Sequence, residues 1–146
     1  MDSFRYEAQV MWSQIDANMH LRHSAYADFA AQARLTLMEN MGFNARMLKT
    51  LLIGPILFRE ELIYRKEILP NERIKVTCLL AKSKKDGSKW SIRHQILKAN
   101  DEVAAIVNVD GAWIDMKIRK LGALPQEYAD VFLTMEKTDD FEFTDK

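Results

Sequence analysis

The chain opens on an alternation. Phe4, Tyr6, Ala8, Val10 and Trp12 are separated by Arg5, Glu7, Gln9 and Met11, a period of two that predicts a first strand. Residues 13–22 are polar and broken and read as a loop. The period then becomes helical. Tyr26, Phe29, Ala30, Ala33, Leu37 and Met41 form one stripe, with Asp28, Gln32 and Glu39 on the far side. Ser24 can cap this helix and Gly42 can close it, so the pattern predicts a helix over 24–41. A short second helix is expected over 44–52, ended by Gly54-Pro55.

From there to residue 116 the pattern is β. Residues 56–68 form one run, broken by a turn at Pro70-Asn71-Glu72. Ile74, Val76, Cys78 and Leu80 alternate with polar neighbours, and Asp86-Gly87 is a hairpin signal. Trp90, Ile92, His94 and Ile96 alternate in the next strand. Asn100-Asp101 makes a second turn, and residues 103–114 form the last strand, apolar at both parities over Val103–Val107. A C-terminal helix is expected over 125–135, with Pro125 in its first turn. Strands joined by short turns pair antiparallel. A sheet with one apolar face and a helix with an apolar stripe bury each other most economically when the helix lies across the sheet. The expected fold class is therefore α+β.

Composition narrows the function classes. The 146 residues carry 21 Lys+Arg against 21 Asp+Glu, so no basic surplus marks a nucleic-acid or membrane-surface binder. Apolar residues make up 48%, enough for a core. Cys78 is the single cysteine, which excludes an internal disulfide and fits a reducing, cytoplasmic setting. The charged start predicts no signal peptide, and no apolar run is long enough for a membrane span. No metal or cofactor is expected. The length fits a single domain, residues 1–135, with a polar acidic tail over 136–146 expected to be loosely held.

The unusual chemistry lies between the first strand and the long helix. Asp16, Asn18 and His20 stand two apart, and His23 follows just ahead of a helix N-terminus. A carboxylate beside unpaired backbone N–H donors can act as base or nucleophile while the donors hold an oxyanion. On local chemistry alone the same residues read first as ordinary turn formers, with Ser24 as the helix cap. Elsewhere, Lys82, Lys84, Lys85 and Lys89 flank the Asp86-Gly87 turn, as phosphate ligands or as a solvated hairpin. His94 reads as a satisfied core histidine and Cys78 as a small core residue. Gly111, between Asp110 and Asp115, reads as a bulge rather than as the neighbour of a second catalytic acid.

The Asp16-x-Asn18-x-His20 run resembles the D-x-N-x-H motif of hot-dog-fold thioesterases. Tyr26 and Ala33-Arg34 match that family's helix pattern, with Ala30 or Ala31 in place of its usual acid. The segment Glu61-Leu62-Ile63-Tyr64 through Glu72 resembles its I-x-Y-x-x-P-L-x-x-G-D stretch, and Leu124-Pro125 fits its L-P ending. The resemblance covers residues 4–133 and is nearest the 4-hydroxybenzoyl-CoA thioesterase-like branch. It implies a five-stranded antiparallel sheet wrapped around one long helix, and a homodimer or homotetramer with active sites at subunit interfaces. It also implies hydrolysis of acyl-CoA or acyl carrier protein thioesters in lipid metabolism. Asp16 then matches the catalytic acid, and Asn18, His20 and His23 match positions catalytic in some branches. The backbone N–H groups of His23, Ser24 and Ala25 match the oxyanion site, while Tyr26, Lys84 and Lys85 are candidate substrate contacts. A non-catalytic acyl-thioester binder, or an assembly protein, could use the same fold.

Overall fold

A computed structural model describes residues 3–145, with the side chains of Ala45 and Met47 left out of the description. Its order is β1 (Arg5–Gln9), α1 (Ala25–Asn40), α2 (Ala45–Leu51), β2 (Ile53–Tyr64), β3 (Arg73–Thr77), β4 (Leu79–Ser83), β5 (Lys89–Leu97), β6 (Val103–Asp115), β7 (Lys120–Leu121), α3 (Gln126–Phe132) and β8 (Lys137–Phe143). The fold is α+β: a curled, mostly antiparallel sheet and one long helix, α1. The sheet runs β1-β3-β5-β4-β8, with β6 pairing β2, β5 and β7. Five strands were expected. The count rises because the arm over 73–83 is divided at Cys78 and because β7 and β8 add to the sheet.

By their internal contacts the described residues form two compact units. The first holds residues 3–37, 61–78 and 94–107. Here β1 pairs β3 in register, Arg5 opposite Thr77 and Gln9 opposite Arg73. The alternation predicted for β1 holds to Val10, which is buried. It then fails. Met11 and Trp12 are exposed, because the Met11 N–H is taken by Gln14 Oε1 at 2.8 Å and a 3-10 turn begins at Trp12. Helix α1 buries Ala25, Tyr26, Phe29, Ala30 and Ala33, the N-terminal part of the predicted stripe. In β3, Ile74 and Val76 are buried, and so is Cys78 after it. Burial pushes the Cys78 thiol up to about 12.

A part-buried ion pair braces the turn before β3. Lys98 Nζ lies 3.0 Å from Glu72 Oε1, with both side chains mostly shielded. Glu72 also accepts the N–H groups of Leu69 (3.1 Å) and Ala99 (3.1 Å). These backbone donors and Lys98 outweigh desolvation and hold its carboxyl below the usual range.

The second unit holds residues 38–60, 79–93 and 108–145. Gly42, at φ 95°, closes α1 in the left-handed conformation expected of it. Gly54-Pro55 does not lie outside regular structure. The turn falls at Leu52 (φ 56°), and β2 starts at Ile53. Pro55 is tolerated because, among the described residues, β2 pairs only β6, an edge position where one row of N–H groups needs no partner. Between Leu80 and Lys82 the β4–β5 register shifts, so Leu80 and Ala81 are both buried and the alternation changes phase. Trp90, Trp113, Phe132 and Phe43 form the aromatic core, with Trp113 and Phe132 edge-to-face at 5.6 Å.

The tail departs most from expectation. Lys137–Phe143 is a strand, β8, parallel to β4, with Ser83 opposite Phe143 and the Thr144 N–H donating to the Ser83 carbonyl at 2.9 Å. The open edge of β4 supplies main-chain bonds that need no apolar sequence. Thr138 faces inward, whereas Asp139, Asp140 and Glu142 stay in solvent.

Candidate functional site

The loop between β1 and α1 is folded on itself. Ile15 bridges Leu21, the Asp16 N–H donates to the His20 carbonyl at 2.9 Å, and the Met19 N–H donates to the Asp16 carbonyl at 3.0 Å. Met19 takes a positive φ of 62° to close this turn. Inside it the half-buried Asp16 carboxylate accepts two backbone donors at one oxygen. Asn18 N–H lies 2.9 Å and His20 N–H 3.2 Å from Oδ1. Asp16 is thus a turn former, as the plainer reading had it, through Oδ1. Among the described residues Oδ2 accepts no hydrogen bond and keeps its lone pairs for other chemistry.

Asn18 and His20 meet Asp16 through their main chains. The His20 ring turns away, with Nε2 3.1 Å from Glu67 Oε2. Glu67 was not singled out by the sequence; only its place in the quoted strand-end motif marks it. Next to it the Leu21 N–H donates to the Ile68 carbonyl at 2.8 Å, a second tie between the loop and the same segment. Arg22 closes the loop from the other side, its Nη1 donating to the Ser13 carbonyl at 2.7 Å.

At the start of α1, His23 and Ser24 are exposed. The Ala25 N–H already donates to the Arg22 carbonyl at 3.0 Å, so His23 and Ser24 keep the more accessible donors. Ser24 Oγ accepts from Arg22 Nε at 3.1 Å. Tyr26 is buried and packs edge-on against Tyr64, centroids 5.0 Å apart. Its burial, then the nearby Tyr64 and Asp16, raise its hydroxyl pKa, so it stays protonated.

Lys84 and Lys85 belong to the second unit. The Asp86-Gly87 hairpin forms as expected, with Gly87 at φ 74° and its N–H on the Lys84 carbonyl. Lys84, Lys89, Ser88 and Gly122 help line an open cavity of about 390 Å³. Asp86 shares it, held below its usual pKa mainly by its hydrogen bonds from Ser88. Asp110 is tied to Ser91 (2.7 Å) and Arg59 (3.5 Å), and Asp115 to the turn N–H of Lys117 (2.9 Å). Gly111 is crowded, since a Cβ there would stand 2.4 Å from the Ile56 carbonyl oxygen. Among the described residues no three His, Cys, Asp or Glu side chains gather as a metal site, and no helix is long and apolar enough to cross a membrane.

A curled antiparallel sheet, one long helix and an acid-bearing loop ahead of it define the hot-dog class of α+β proteins. The family model described as the thioesterase-like superfamily matches residues 10–132, and the chain belongs to that family. No curated protein matches it in sequence. Among solved structures it is similar to a Staphylococcus aureus protein solved in complex with CoA: TM-score 0.86 and 16% identity over 94% of this chain and 87% of that one. A DHNA-CoA thioesterase from Staphylococcus aureus gives 0.80 and 18% over 89% and 88%. A 1,4-dihydroxy-2-naphthoyl-CoA thioesterase from Synechocystis gives 0.79 and 14% over 89% and 95%.

Proposed function

We propose that this protein hydrolyses acyl-CoA or acyl carrier protein thioesters to the free acid and the thiol. One observation carries the reading: in a member of the thioesterase-like superfamily, Asp16 has Oδ1 fixed by the Asn18 and His20 N–H groups and Oδ2 unbonded, just ahead of α1. A thioester carbonyl is electrophilic because sulfur donates to it poorly. In the route we adopt, Asp16 Oδ2 takes a proton from water as the oxygen attacks the carbonyl carbon. The alternative is direct attack by Oδ2 to a mixed anhydride, which water then opens. In either route the His23 and Ser24 N–H groups receive the oxyanion, each such donor contributing about 2.7–4 kcal/mol. Collapse of the tetrahedral species breaks the C–S bond and expels the thiolate. The names of the similar structures support CoA as the carrier.

The carbon–sulfur cleavage is tested by thiol release from butyryl-, palmitoyl- and benzoyl-CoA with Asp16→Asn. The Asn Oδ1 still accepts both turn N–H groups, so the loop survives while the base is lost. Turnover should fall by roughly two to four orders of magnitude, with KM and Tm little changed. Near-normal kcat in folded Asp16→Asn protein would sink the mechanism, whereas a wild type that binds these esters and releases no thiol would leave the non-catalytic binder.

We also infer a homodimer or homotetramer with active sites at its interfaces. Strand β2 is 12 residues long, pairs only β6 and exposes Leu57, Phe58 and Ile63, an edge that soluble proteins cover. A light-scattering mass of 17.0 kDa at micromolar concentration would overturn this. We assign the protein to the cytoplasm on its single thiol.

A further inference from the structure

Tyr64 ends β2 and has no part in the chemistry above. Its ring stands edge-on to Tyr26, with 5.0 Å between centroids and 86° between planes. Its hydroxyl donates to the His23 carbonyl at 3.1 Å, across 41 positions of sequence. Tyr26 follows His23 by three residues, one helical turn, so ring and hydroxyl grip the same first turn of α1.

The His23 carbonyl and the Ser24 N–H are opposite ends of one planar peptide unit. A bond that fixes the direction of the carbonyl therefore fixes the direction of the N–H. It also draws electron density from the amide nitrogen and makes that N–H a stronger donor. The neighbouring donors are held differently. The Ala25 N–H is spent on the Arg22 carbonyl at 3.0 Å, and the His23 N–H belongs to the peptide whose carbonyl receives that bond. Among the described residues the Ser24 N–H meets no acceptor. Like the His23 N–H, whose peptide is braced from within the helix entry by the Ala25 N–H, it has a braced peptide and an open front, and its brace is Tyr64.

We infer that Tyr64 is a positioning residue: its hydroxyl aims and strengthens the Ser24 N–H that receives the thioester oxyanion. The inference rests on the hydrolase reading above. A purely structural role fits less well. Tyr64 is 48% exposed, so water can replace its hydroxyl bond when the oxygen is removed, and the ring contact with Tyr26 remains. The hydroxyl should matter little to stability and more to a developing charge.

Tyr64→Phe removes only that oxygen. With the CoA ester turned over fastest by the wild type, kcat should fall about five- to tenfold while KM stays within twofold, because the donor acts on the oxyanion more than on the ground state. Tm should hold. Tyr64→Ala, which also removes the ring, should lower Tm as well. A second readout does not need activity. Loss of a hydrogen bond to the preceding carbonyl should move the Ser24 amide nitrogen upfield in a 1H–15N spectrum of Tyr64→Phe, more than amides outside residues 22–26. An unchanged kcat in Tyr64→Phe, a loss appearing only in Tm, or a stationary Ser24 resonance would each overturn the inference. A wild type that releases no thiol from any ester would sink the hydrolase reading instead. The Ser24 resonance would then decide the peptide bracing by itself, a shift upholding it and none refuting it.

Discussion

Arg34 on α1 and His94 on β5 meet inside the protein, with Arg34 Nη1 3.0 Å from His94 Nε2. The other ring nitrogen, Nδ1, lies 2.8 Å from the Thr77 carbonyl oxygen and must donate to it. Nε2 is therefore an acceptor for the guanidinium, and the neutral ring is fully satisfied. Protonation would set an N–H against Arg34. Burial first, and then the Arg34 charge, push the His94 pKa down to about 3.

That shift predicts an acid limb in stability. Between the unfolded value, about 6.5, and the folded one the unfolded chain takes up a proton that the native state refuses. Stability is full above about pH 6.5 and falls by about 1.4 kcal/mol per pH unit below it, until the folded value is passed. Urea midpoints from pH 7.5 to 4.5 measure the slope. His94→Gln, whose amide can donate to Thr77 and accept from Arg34, should flatten it by one proton. Carboxylates such as Glu72 act in the same direction in both proteins, so an equal slope would refute the assignment.

Gly111→Ala should be costly. Its Cβ would meet the Ile56 carbonyl oxygen at 2.4 Å and the Trp90 ring at 2.5 Å. A backbone oxygen and a ring packed against Trp113 and Phe132 cannot both yield. Thermal or urea unfolding should show a loss of about 1–3 kcal/mol or more. A loss under 0.5 kcal/mol would mean that the strands part easily here.

The hairpin lysines test the carrier. Lys84→Ala/Lys85→Ala should raise KM for an acyl-CoA and lessen its salt dependence with kcat kept, because uniform binding is lost. An unchanged KM would leave the run as a solvated hairpin.

His20→Ala separates main chain from ring. The bond to Asp16 comes from the His20 N–H, which alanine keeps, while the ring contact to Glu67 is part-exposed. The variant should lose about tenfold or less in kcat, far below the loss at Asp16→Asn. An equal loss would instead make the pair a shared acid–imidazole base.

Local signals in the sequence read well. The buried sets Ile74, Val76, Cys78, Leu80 and Trp90, Ile92, His94, Ile96 follow from period two alone. The turns at Asp86-Gly87 and Asn100-Asp101 follow from residues that tolerate positive φ, taken by Gly87 (74°) and Asp101 (67°). The α1 stripe was legible over Tyr26–Ala33; Leu37 and Met41, at its end, are only half-buried.

The sequence by itself determined these elements and the spacing of Asp16, Asn18 and His20, because side-chain period and turn chemistry act within a few residues. Only the tertiary structure decided that the acidic tail becomes β8, since an open strand edge binds any backbone. Only it decided that His20 faces Glu67 and that Tyr64 reaches the His23 carbonyl. Those are contacts between segments far apart in the chain, and a contact of that kind leaves no period in the sequence.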